Sequence, residues 1–356
     1  MGITPSEETE QFRATVRDFL GRHADTEAVF REMASDRGWD PLVWSRFAGE
    51  LGAVVLDVPE EHGGAGATFR EVAVVAEELG RSLVRLPWFA TAVLGIGVLL
   101  HSGEFGPVPD LASGERTATL AYLDRSPTTA VPDGRRWRLT GEKTMVIEGG
   151  TAGLLFVAAG VGSGLGLFAV EAGAPGLVAT PMRAMDPNRQ LATVTLNGVP
   201  AHAIGDPEGA APVLARVLDR AVAALACEQA GGAAAALEMS VSYAAGRLQF
   251  GRAIGSFQAI KHRCADMALQ VEAARSASMW AAAADPAEAH LAATAAALAC
   301  GEAYTYVAGE TIQVHGGIGF TWEHPAHLHF RRAATSAVLF GDRRAHEEAL
   351  LGELGV

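Results

Sequence analysis

Two short blocks of the sequence contain residues that could hold a phosphate group. Arg247 opens the first block, and its guanidinium offers a fork of donors that suits the oxygens of a pyrophosphate. The second block contains Gly316 and Gly317, which have no Cβ and let backbone N–H groups approach a phosphate closely. A structural alternative stays open, in which Arg247 is a surface charge and the paired glycines only end a helix.

Long helices must position these blocks. From about Pro207 the chain is rich in Ala, Leu and Glu, which predicts helices to Arg247, over Phe257–Ala284 and over Ala287–Val314. Helices of this length in series indicate an antiparallel bundle. We therefore predict a C-terminal four-helix-bundle domain over residues 207–356.

A helical segment and a strand-rich segment precede the bundle. Thr4-Pro5-Ser6-Glu7 has the form of a capping box, and a second helix is predicted from about Arg70 to Gly80. An N-terminal helical domain is predicted over residues 1–115. The short runs that follow predict a small antiparallel barrel or sandwich over residues 116–206. These runs are Arg116–Leu123, Arg136–Leu139, Leu154–Ala159, Leu165–Val170, Gly176–Pro181 and Leu191–Leu196.

The composition is that of a globular protein. The chain has 356 residues, of which 49% are hydrophobic and 19% charged, and its net charge of −13 argues against a nucleic-acid-binding surface. The three cysteines lack CxxC spacing, so we interpret them as core residues and predict no metal site. No apolar run reaches the length of a membrane span and no signal peptide opens the chain, so we expect the protein to be located in the cytoplasm.

The two blocks together resemble the C-terminal signature of the acyl-CoA dehydrogenase family. The first reads RLQFGRAIGSFQ over Arg247–Gln258 and is followed by Ala265-Asp266-Met267, and the second reads QVHGGIGF over Gln313–Phe320. The likeness extends along the whole chain, including Pro59–Gly64 and Glu77–Arg81. It implies a mostly helical fold in which a small β domain separates an N-terminal helical domain from a C-terminal bundle.

The resemblance also implies a cofactor and a set of residues that bind it. Arg247, Phe250, Phe257 and Gln258 would reach the FAD of a neighbouring subunit. Gln313, Gly316 and Gly317 would contact the ADP half of the same cofactor. The implied reaction is the α,β-dehydrogenation of an acyl-CoA thioester, with an electron-transfer flavoprotein as electron acceptor.

The sequence departs from the family where a catalytic base is needed. A carboxylate must remove the proton α to the thioester carbonyl while hydride leaves the β carbon for the flavin. The two positions at which the family places this glutamate are matched here by Phe340 and Ala221, neither of which accepts a proton. Asp342 and Glu228 are the nearest acidic alternatives. We favour structural roles for both, a helix cap for Asp342 and a polar helix position for Glu228.

The contacts to the flavin ring are altered as well. Met145 and Ile147 stand where the family has a Trp and a Thr, and Tyr122–Ser126 replaces its Thr-Glu-Pro loop. A helical arginine near the family's substrate pocket is replaced by Val222, with Arg220 two residues away.

Three interpretations follow from this pattern. The first is a non-catalytic subunit that completes the ADP site of a catalytic partner, as in the heterotetrameric acyl-CoA dehydrogenases of bacterial steroid side-chain breakdown. The second is a self-sufficient dehydrogenase with Asp342, Glu228 or another base. The third is a repurposed fold that acts on, or binds, a carrier-bound acyl group.

Overall fold

The computed structural model describes residues 4–23, 25–35 and 37–355, which form two compact units. One unit comprises Met1–Arg31, Phe69–Val84 and Val222–Val356, and the other comprises Glu32–Thr68 and Arg85–Ala221. Along the chain, helices come first, a β-sheet follows and a helical bundle closes the sequence, which confirms the predicted fold class. The domain boundaries at residues 115/116 and 206/207 stay predictions.

Most of the first unit is helical. Its long C-terminal helices follow the prediction closely, because alanine-rich sequence favours helix and lets neighbouring helices pack tightly. Across both units, the α-helices of the described residues are α1 (Glu7–His23), α2 (Thr26–Met33), α3 (Pro41–Gly49), α4 (Phe69–Ser82), α5 (Ile96–Ser102), α6 (Val108–Ala112), α7 (Ala211–Gly246), α8 (Gln258–Ala283), α9 (Ala289–His315), α10 (Ala326–Ser336) and α11 (Arg343–Glu353), with a π-helical segment at Phe89–Gly95.

Small residues set the spacing between the helices of the first unit. Buried alanines of α7, α8 and α9, among them Ala226, Ala274 and Ala296, form a shared core. Helices α4 and α7 approach still more closely, because a Cβ added at Gly80 would lie 2.0 Å from the carbonyl oxygen of Glu228. The prediction that Gly80 ends the second helix is therefore wrong: α4 continues to Ser82, and Gly80 is a packing position.

The start of α1 also differs from the prediction. The helix begins at Glu7, and the Oγ atom of Ser6 accepts a hydrogen bond from the N–H of Thr9 at 3.1 Å. Ser6 therefore caps the helix in place of Thr4, and Pro5 precedes the helix. Arg17 then joins α1 to α4 through two hydrogen bonds to the buried carboxylate of Glu78, at 2.7 and 2.8 Å.

The second unit contains a sheet that closes on itself. The pairings run β4-β2-β3-β7-β5 and return to β4, with β1 beside β4 and β6 beside β7. All pairings of named strands are antiparallel except β1–β4 and β2–β4, and inward residues such as Leu139, Phe168 and Val194 form its core. The strands are β1 (Ala118–Ala121), β2 (Asp124–Asp133), β3 (Arg136–Ile147), β4 (Leu154–Val161), β5 (Gly164–Glu171), β6 (Leu177–Pro181) and β7 (Leu191–Ile204).

Strand β2 was not predicted from the sequence. It contains Pro127 and Pro132, and most of its side chains are exposed, so it lacks the apolar alternation that marks a strand. Strands β4 and β5 are joined by a two-residue turn at Gly162 and Ser163, and Gly162 has a positive φ of 54°.

The remaining comparisons with the sequence concern individual helices, the cysteines and membrane spans. Helices α2, α3, α10 and α11 were not identified individually from the sequence. Cys227 and Cys300 are buried and Cys264 is half-buried, and burial raises the pKa of all three thiols. Among the described helices, none combines the length and the apolar character needed to cross a membrane.

The close contact of α4 and α7 leads to a stability prediction. A Cβ added at Gly231 would lie 2.0 Å from the carbonyl oxygen of Glu77, so Gly231→Ala forces the helices apart. Overpacking of this kind costs about 1–3 kcal/mol of unfolding free energy, measured by urea denaturation. Gly21→Ala is the matched control, because nothing lies within 4 Å of that position and alanine improves helix propensity. Equal losses in both variants would contradict the packing role of Gly231.

Candidate functional site

Arg247 lies directly after α7, where the first block begins. The backbone N–H of Arg247 donates to the carbonyl of Tyr243 at 2.8 Å, and its own carbonyl accepts from the N–H of Ile254 at 2.8 Å. These bonds fix the backbone while the side chain remains exposed. Within the described part of the chain, the guanidinium makes no hydrogen bond or ion pair, so its donors are available to a bound anion.

A two-residue hairpin follows Arg247 and presents an aromatic ring. Strands β8 (Leu248–Gln249) and β9 (Arg252–Ala253) pair so that Phe250 and Gly251 form the turn. Both turn residues have positive φ, 53° for Phe250 and 75° for Gly251, as a type I′ turn requires. The side chain of Phe250 is 91% exposed. A large aromatic residue in the left-handed region is strained, and such outliers mark candidate functional positions.

The end of the first block forms the start of α8. Phe257 precedes the helix, and the guanidinium of Arg252 lies 4.0 Å from the centre of its ring. The ring of Phe250 meets that of Phe257 edge-on at 6.2 Å. Gln258 is the first residue of α8 and is exposed. The first block therefore offers an aromatic cluster flanked by polar side chains.

The second block ends α9. Gln313 is exposed on the last turn, and the N–H of Gly316 donates to the carbonyl of Ile312. Gly316 has φ of 61° and ψ of −139°, a conformation suited to glycine. At Gly317 no positive φ is recorded, and a Cβ added there would meet nothing within 4 Å. The chain itself therefore does not require glycine at 317, and the space beside it is open to a ligand.

A stacked pair of rings brings the two blocks together. The ring of Tyr243, one turn before Arg247, stacks on the imidazole of His315 with a centroid distance of 4.3 Å. Nearby, the hydroxyls of Ser240 and Thr311 lie 3.0 Å apart and link α7 to α9. The Nδ1 atom of His315 donates to the carbonyl of Thr311 at 2.8 Å, and burial lowers the pKa of this imidazole. The contact between the blocks therefore involves a neutral histidine at pH 7.

These residues are suited to the ADP half of FAD. The unengaged guanidinium of Arg247 can bind a pyrophosphate, and the open backbone at Gly316 and Gly317 can be approached by a phosphate. Gln258 and Gln313 add exposed amides that can donate and accept hydrogen bonds.

The stretch that matches the flavin-ring contacts is less suited to a cofactor. Met145 lies at a bulge in the β3–β7 pairing with φ of 53°, and its thioether is only a weak acceptor. The side chain of Ile147 is buried, and its carbonyl accepts from the hydroxyl of Thr119 at 2.5 Å. Neither side chain offers a hydrogen-bond donor to a flavin ring.

Lys143 was not predicted as a site residue. It binds to the segment Tyr122–Ser126, which stands in place of the family's Thr-Glu-Pro loop. Its buried Nζ atom donates to the carbonyl of Tyr122 at 3.1 Å and to the carboxylate of Asp124 at 2.5 Å. Burial lowers the pKa of Lys143, and its hydrogen bond with Asp124 opposes this shift. The segment that replaces the family's Thr-Glu-Pro loop is thus tied to β3. The pairing of Asp124 with Lys143 could not be found from the sequence, because strand β2 was not predicted.

The two base positions contain no proton acceptor. Ala221 is fully buried in α7. Phe340 lies in the turn between α10 and α11, with φ of 59° and a half-buried side chain.

The two acidic alternatives have structural partners. Asp342 caps α11, because its Oδ1 atom accepts from the N–H of Ala345 at 2.9 Å, which confirms the predicted cap. Glu228 is more than a polar helix position: it is buried, and its Oε1 atom accepts from Nη1 of Arg332 at 3.1 Å.

Arg220 does not replace the arginine that the family has at the position of Val222. The guanidinium of Arg220 is paired with Asp57 and donates to the carbonyls of Val93 and Ala92 at 3.2 and 3.1 Å. These bonds hold it within the second unit, where it supports the π-helical segment.

Comparison with known proteins identifies the family. Residues 6–104 match the acyl-CoA dehydrogenase N-terminal domain and residues 208–351 the acyl-CoA dehydrogenase C-terminal domain. The chain is 36% identical to acyl-CoA dehydrogenase IpdE2 of Mycolicibacterium smegmatis, over 98% of this chain and 99% of the relative.

Two solved structures extend the comparison. A variant of the Tcur3481-Tcur3483 steroid ACAD is 31% identical, with a TM-score of 0.88 and 98% of each chain covered. The ChsE4-ChsE5 complex from Mycobacterium tuberculosis is 27% identical, with a TM-score of 0.91, over 100% of this chain and 99% of that one. Both are heteromeric. With two family domains matched and a full-length relative above 30% identity, the chain belongs to the acyl-CoA dehydrogenase family, whose cofactor is FAD.

Proposed function

We propose that this chain is the base-lacking subunit of a hetero-oligomeric acyl-CoA dehydrogenase and that it completes the FAD site of a catalytic partner. One contrast carries the proposal. The guanidinium of Arg247 is exposed and unengaged within the described chain, and the backbone beside Gly317 is open. The positions that would hold the base contain Phe340 and Ala221. The residues that would contact the FAD of a neighbouring subunit are therefore present, whereas the carboxylate needed for the chain's own reaction is absent from the two expected positions.

The reaction class requires a base that this chain does not offer at the expected positions. Proton transfer from the α carbon needs a carboxylate within hydrogen-bond reach of that proton. Asp342 is engaged as a helix cap, and Glu228 is held by Arg332. Both observations favour the base-lacking interpretation over a self-sufficient dehydrogenase. In the proposed complex the partner chain supplies the carboxylate.

Within that complex each retained group has a distinct task. FAD, when bound, accepts the hydride that leaves the β carbon of the acyl group. Arg247 binds the pyrophosphate, and the backbone at Gly316 and Gly317 makes room for it. Gln258 and Gln313 hydrogen-bond the cofactor through their amides, and the exposed ring of Phe250 reaches the FAD of the partner, with Phe257 behind it.

The substrate proposed for the complex is an acyl-CoA thioester with a bulky, steroid-derived acyl group. The support is that a 31% identical relative is a steroid ACAD. An electron-transfer flavoprotein is the proposed electron acceptor. A binding protein with the same fold remains the second candidate function, which gains support if no flavin is found with the chain in any assembly.

The first prediction concerns the chain without its partner. Because Met145 and Ile147 offer no donor to the flavin ring, we expect the chain expressed alone to retain little FAD. The visible flavin absorbance of the purified chain, before and after incubation with excess FAD, measures this. A stoichiometrically yellow homo-oligomer would overturn the proposal.

The second prediction concerns the anion site. Loss of a charge-assisted hydrogen bond in Arg247→Ala should weaken FAD binding to the complex by about 1.5–3 kcal/mol, roughly tenfold or more, without blocking assembly. Fluorescence titration of the apo-complex with FAD measures the affinity. Arg22→Ala, which removes an exposed arginine from α1, is the control and should leave the affinity unchanged. Equal affinities for the wild type and Arg247→Ala would count against the proposed role of Arg247.

The third prediction separates structural from catalytic carboxylates. Asp342→Asn retains a good helix cap and should keep both stability and activity. Glu228→Gln weakens a buried ion pair and should lower stability, while activity per folded complex stays within a few-fold of wild type. Activity is followed by reduction of an artificial electron acceptor with acyl-CoA substrates. A loss of about a hundredfold or more in either variant, as expected for a general base, would show that this chain has its own catalytic carboxylate.

A further inference from the structure

Three histidines lie together where the second block leads into α10. The imidazole of His315, at the end of α9, lies 4.4 Å from that of His324, measured between ring centres. His327 follows in the first turn of α10, and its ring meets that of Trp322 edge-on at 4.5 Å. We call these three side chains the imidazole cluster. The segment Gly316–Pro325, which contains most of the second block, therefore has an imidazole of the cluster at each of its ends.

The hydrogen bonds of two of these rings require neutral imidazoles. The Nδ1 atom of His324 accepts from the backbone N–H of Ala326 at 3.2 Å, so this nitrogen carries no proton. The Nδ1 atom of His315 donates to the carbonyl of Thr311, and its Nε2 atom is buried without a hydrogen-bond partner among the described residues. A further proton would remove the acceptor at His324. At His315 it would create a buried N–H group with no described acceptor.

His327 is the most isolated of the three. Its side chain is 6% exposed, and both ring nitrogens are buried without a hydrogen-bond partner in the described part of the chain. Its ring lies among aromatic side chains, with Trp322 on one side and Phe30 of α2 at 6.3 Å. An imidazolium at this position would bring a charge and two N–H donors into an aromatic environment, which is strongly unfavourable without partners.

The surrounding charges oppose protonation of the cluster. Burial is the main factor that lowers the pKa of all three imidazoles. The two neighbouring imidazoles lower the pKa of His324 further, and the guanidinium of Arg331 does the same for His327. No described carboxylate raises the pKa of any of the three. The other charged groups at the ends or on the faces of the adjoining elements are Arg247 after α7, Glu310 in α9, Glu323 before α10, and Glu27 and Arg31 in α2.

We propose that the imidazole cluster is an acid-sensitive switch, in which protonation separates His315 from Tyr243 and releases the segment Gly316–Pro325 from the bundle. The closed form binds protons more weakly than an open form, whose exposed histidines have a pKa of about 6.5. As the pH falls below that value, the open form takes up protons that the closed form does not, so the closed form is progressively lost. The opening is a property of this chain, whereas its effect on FAD binding rests on the proposed function.

Hydrogen exchange followed by mass spectrometry tests the switch on the full-length chain, in the assembly that it forms on purification. Protection of the amides in Gly316–Pro325, relative to the unfolded chain at the same pH, should fall about tenfold or more between about pH 7.5 and about pH 5.5. It should return at neutral pH, while the middle of α8 stays protected throughout. Equal protection of the segment at both pH values would overturn the proposal.

A double variant removes the titrating groups and keeps their contacts. His324→Asn retains an oxygen that can accept from the N–H of Ala326, and His327→Phe retains an aromatic ring. When circular dichroism shows it folded, this variant should keep the segment protected at about pH 5.5, because neither replacement binds a proton in that range. His202→Asn, which replaces an exposed histidine of β7, is the control and should open like the wild type.

An unchanged acid response in the folded double variant would refute the switch. If the double variant does not fold, each single variant should move the midpoint of opening to lower pH, and an unmoved midpoint in both would refute it equally. In the partnered complex, fluorescence titration should show that FAD affinity weakens over the same pH range. Opening of the segment with unchanged FAD affinity would support the switch and contradict the proposed cofactor role of the second block.

Discussion

The stacking of Tyr243 on His315 is the contact on which the candidate cofactor site depends. The two blocks proposed to bind FAD are separated by α8 and most of α9 in the sequence, and this contact brings their ends together. Ser240 and Thr311 support it from within the bundle. Since burial keeps His315 neutral, the contact adds no positive charge of its own. In the proposed site, the positive charge for the anion comes from Arg247.

The lack of a carboxylate at the two matched base positions is consistent with the structural roles of the neighbouring carboxylates. Glu228 and Arg332 form a buried pair, and a buried charge that loses its partner is strongly destabilising. Selection for stability therefore opposes freeing Glu228 for proton transfer. Asp342 has a different structural role, because it caps the start of α11. In the stretch that matches the family's flavin-ring contacts, Lys143 holds the segment from Tyr122 to Asp124 against β3. Each of these groups has a structural task that explains its presence without catalysis.

Much of the fold could be predicted from sequence because its signals are local. The alanine-rich runs predicted α7, α8 and α9, and the turn residues predicted every strand of the seven-stranded sheet except β2, whereas the short strands β8 and β9 were not predicted. Strand β2 was missed because its side chains are mostly exposed and it contains two prolines. Gly80 was misjudged because its role lies in a contact with α7, about 150 residues away, which local spacing does not reveal.

The site was predictable to a similar extent. Motif spacing selected Arg247, Gln313 and the paired glycines, and the structure shows them exposed or open. The left-handed turn at Phe250 was not predicted, because non-glycine residues rarely adopt it.

Flavin stoichiometry in the partnered complex tests the central claim most directly. If this chain contributes only the ADP half of a shared site, each pair of one such chain and one catalytic partner should bind one FAD. The flavin released on denaturation, divided by the amount of each chain determined by quantitative amino-acid analysis, gives the ratio. One FAD per pair is the predicted result. Two FAD molecules per pair would show that this chain also holds a flavin ring of its own and would contradict the account.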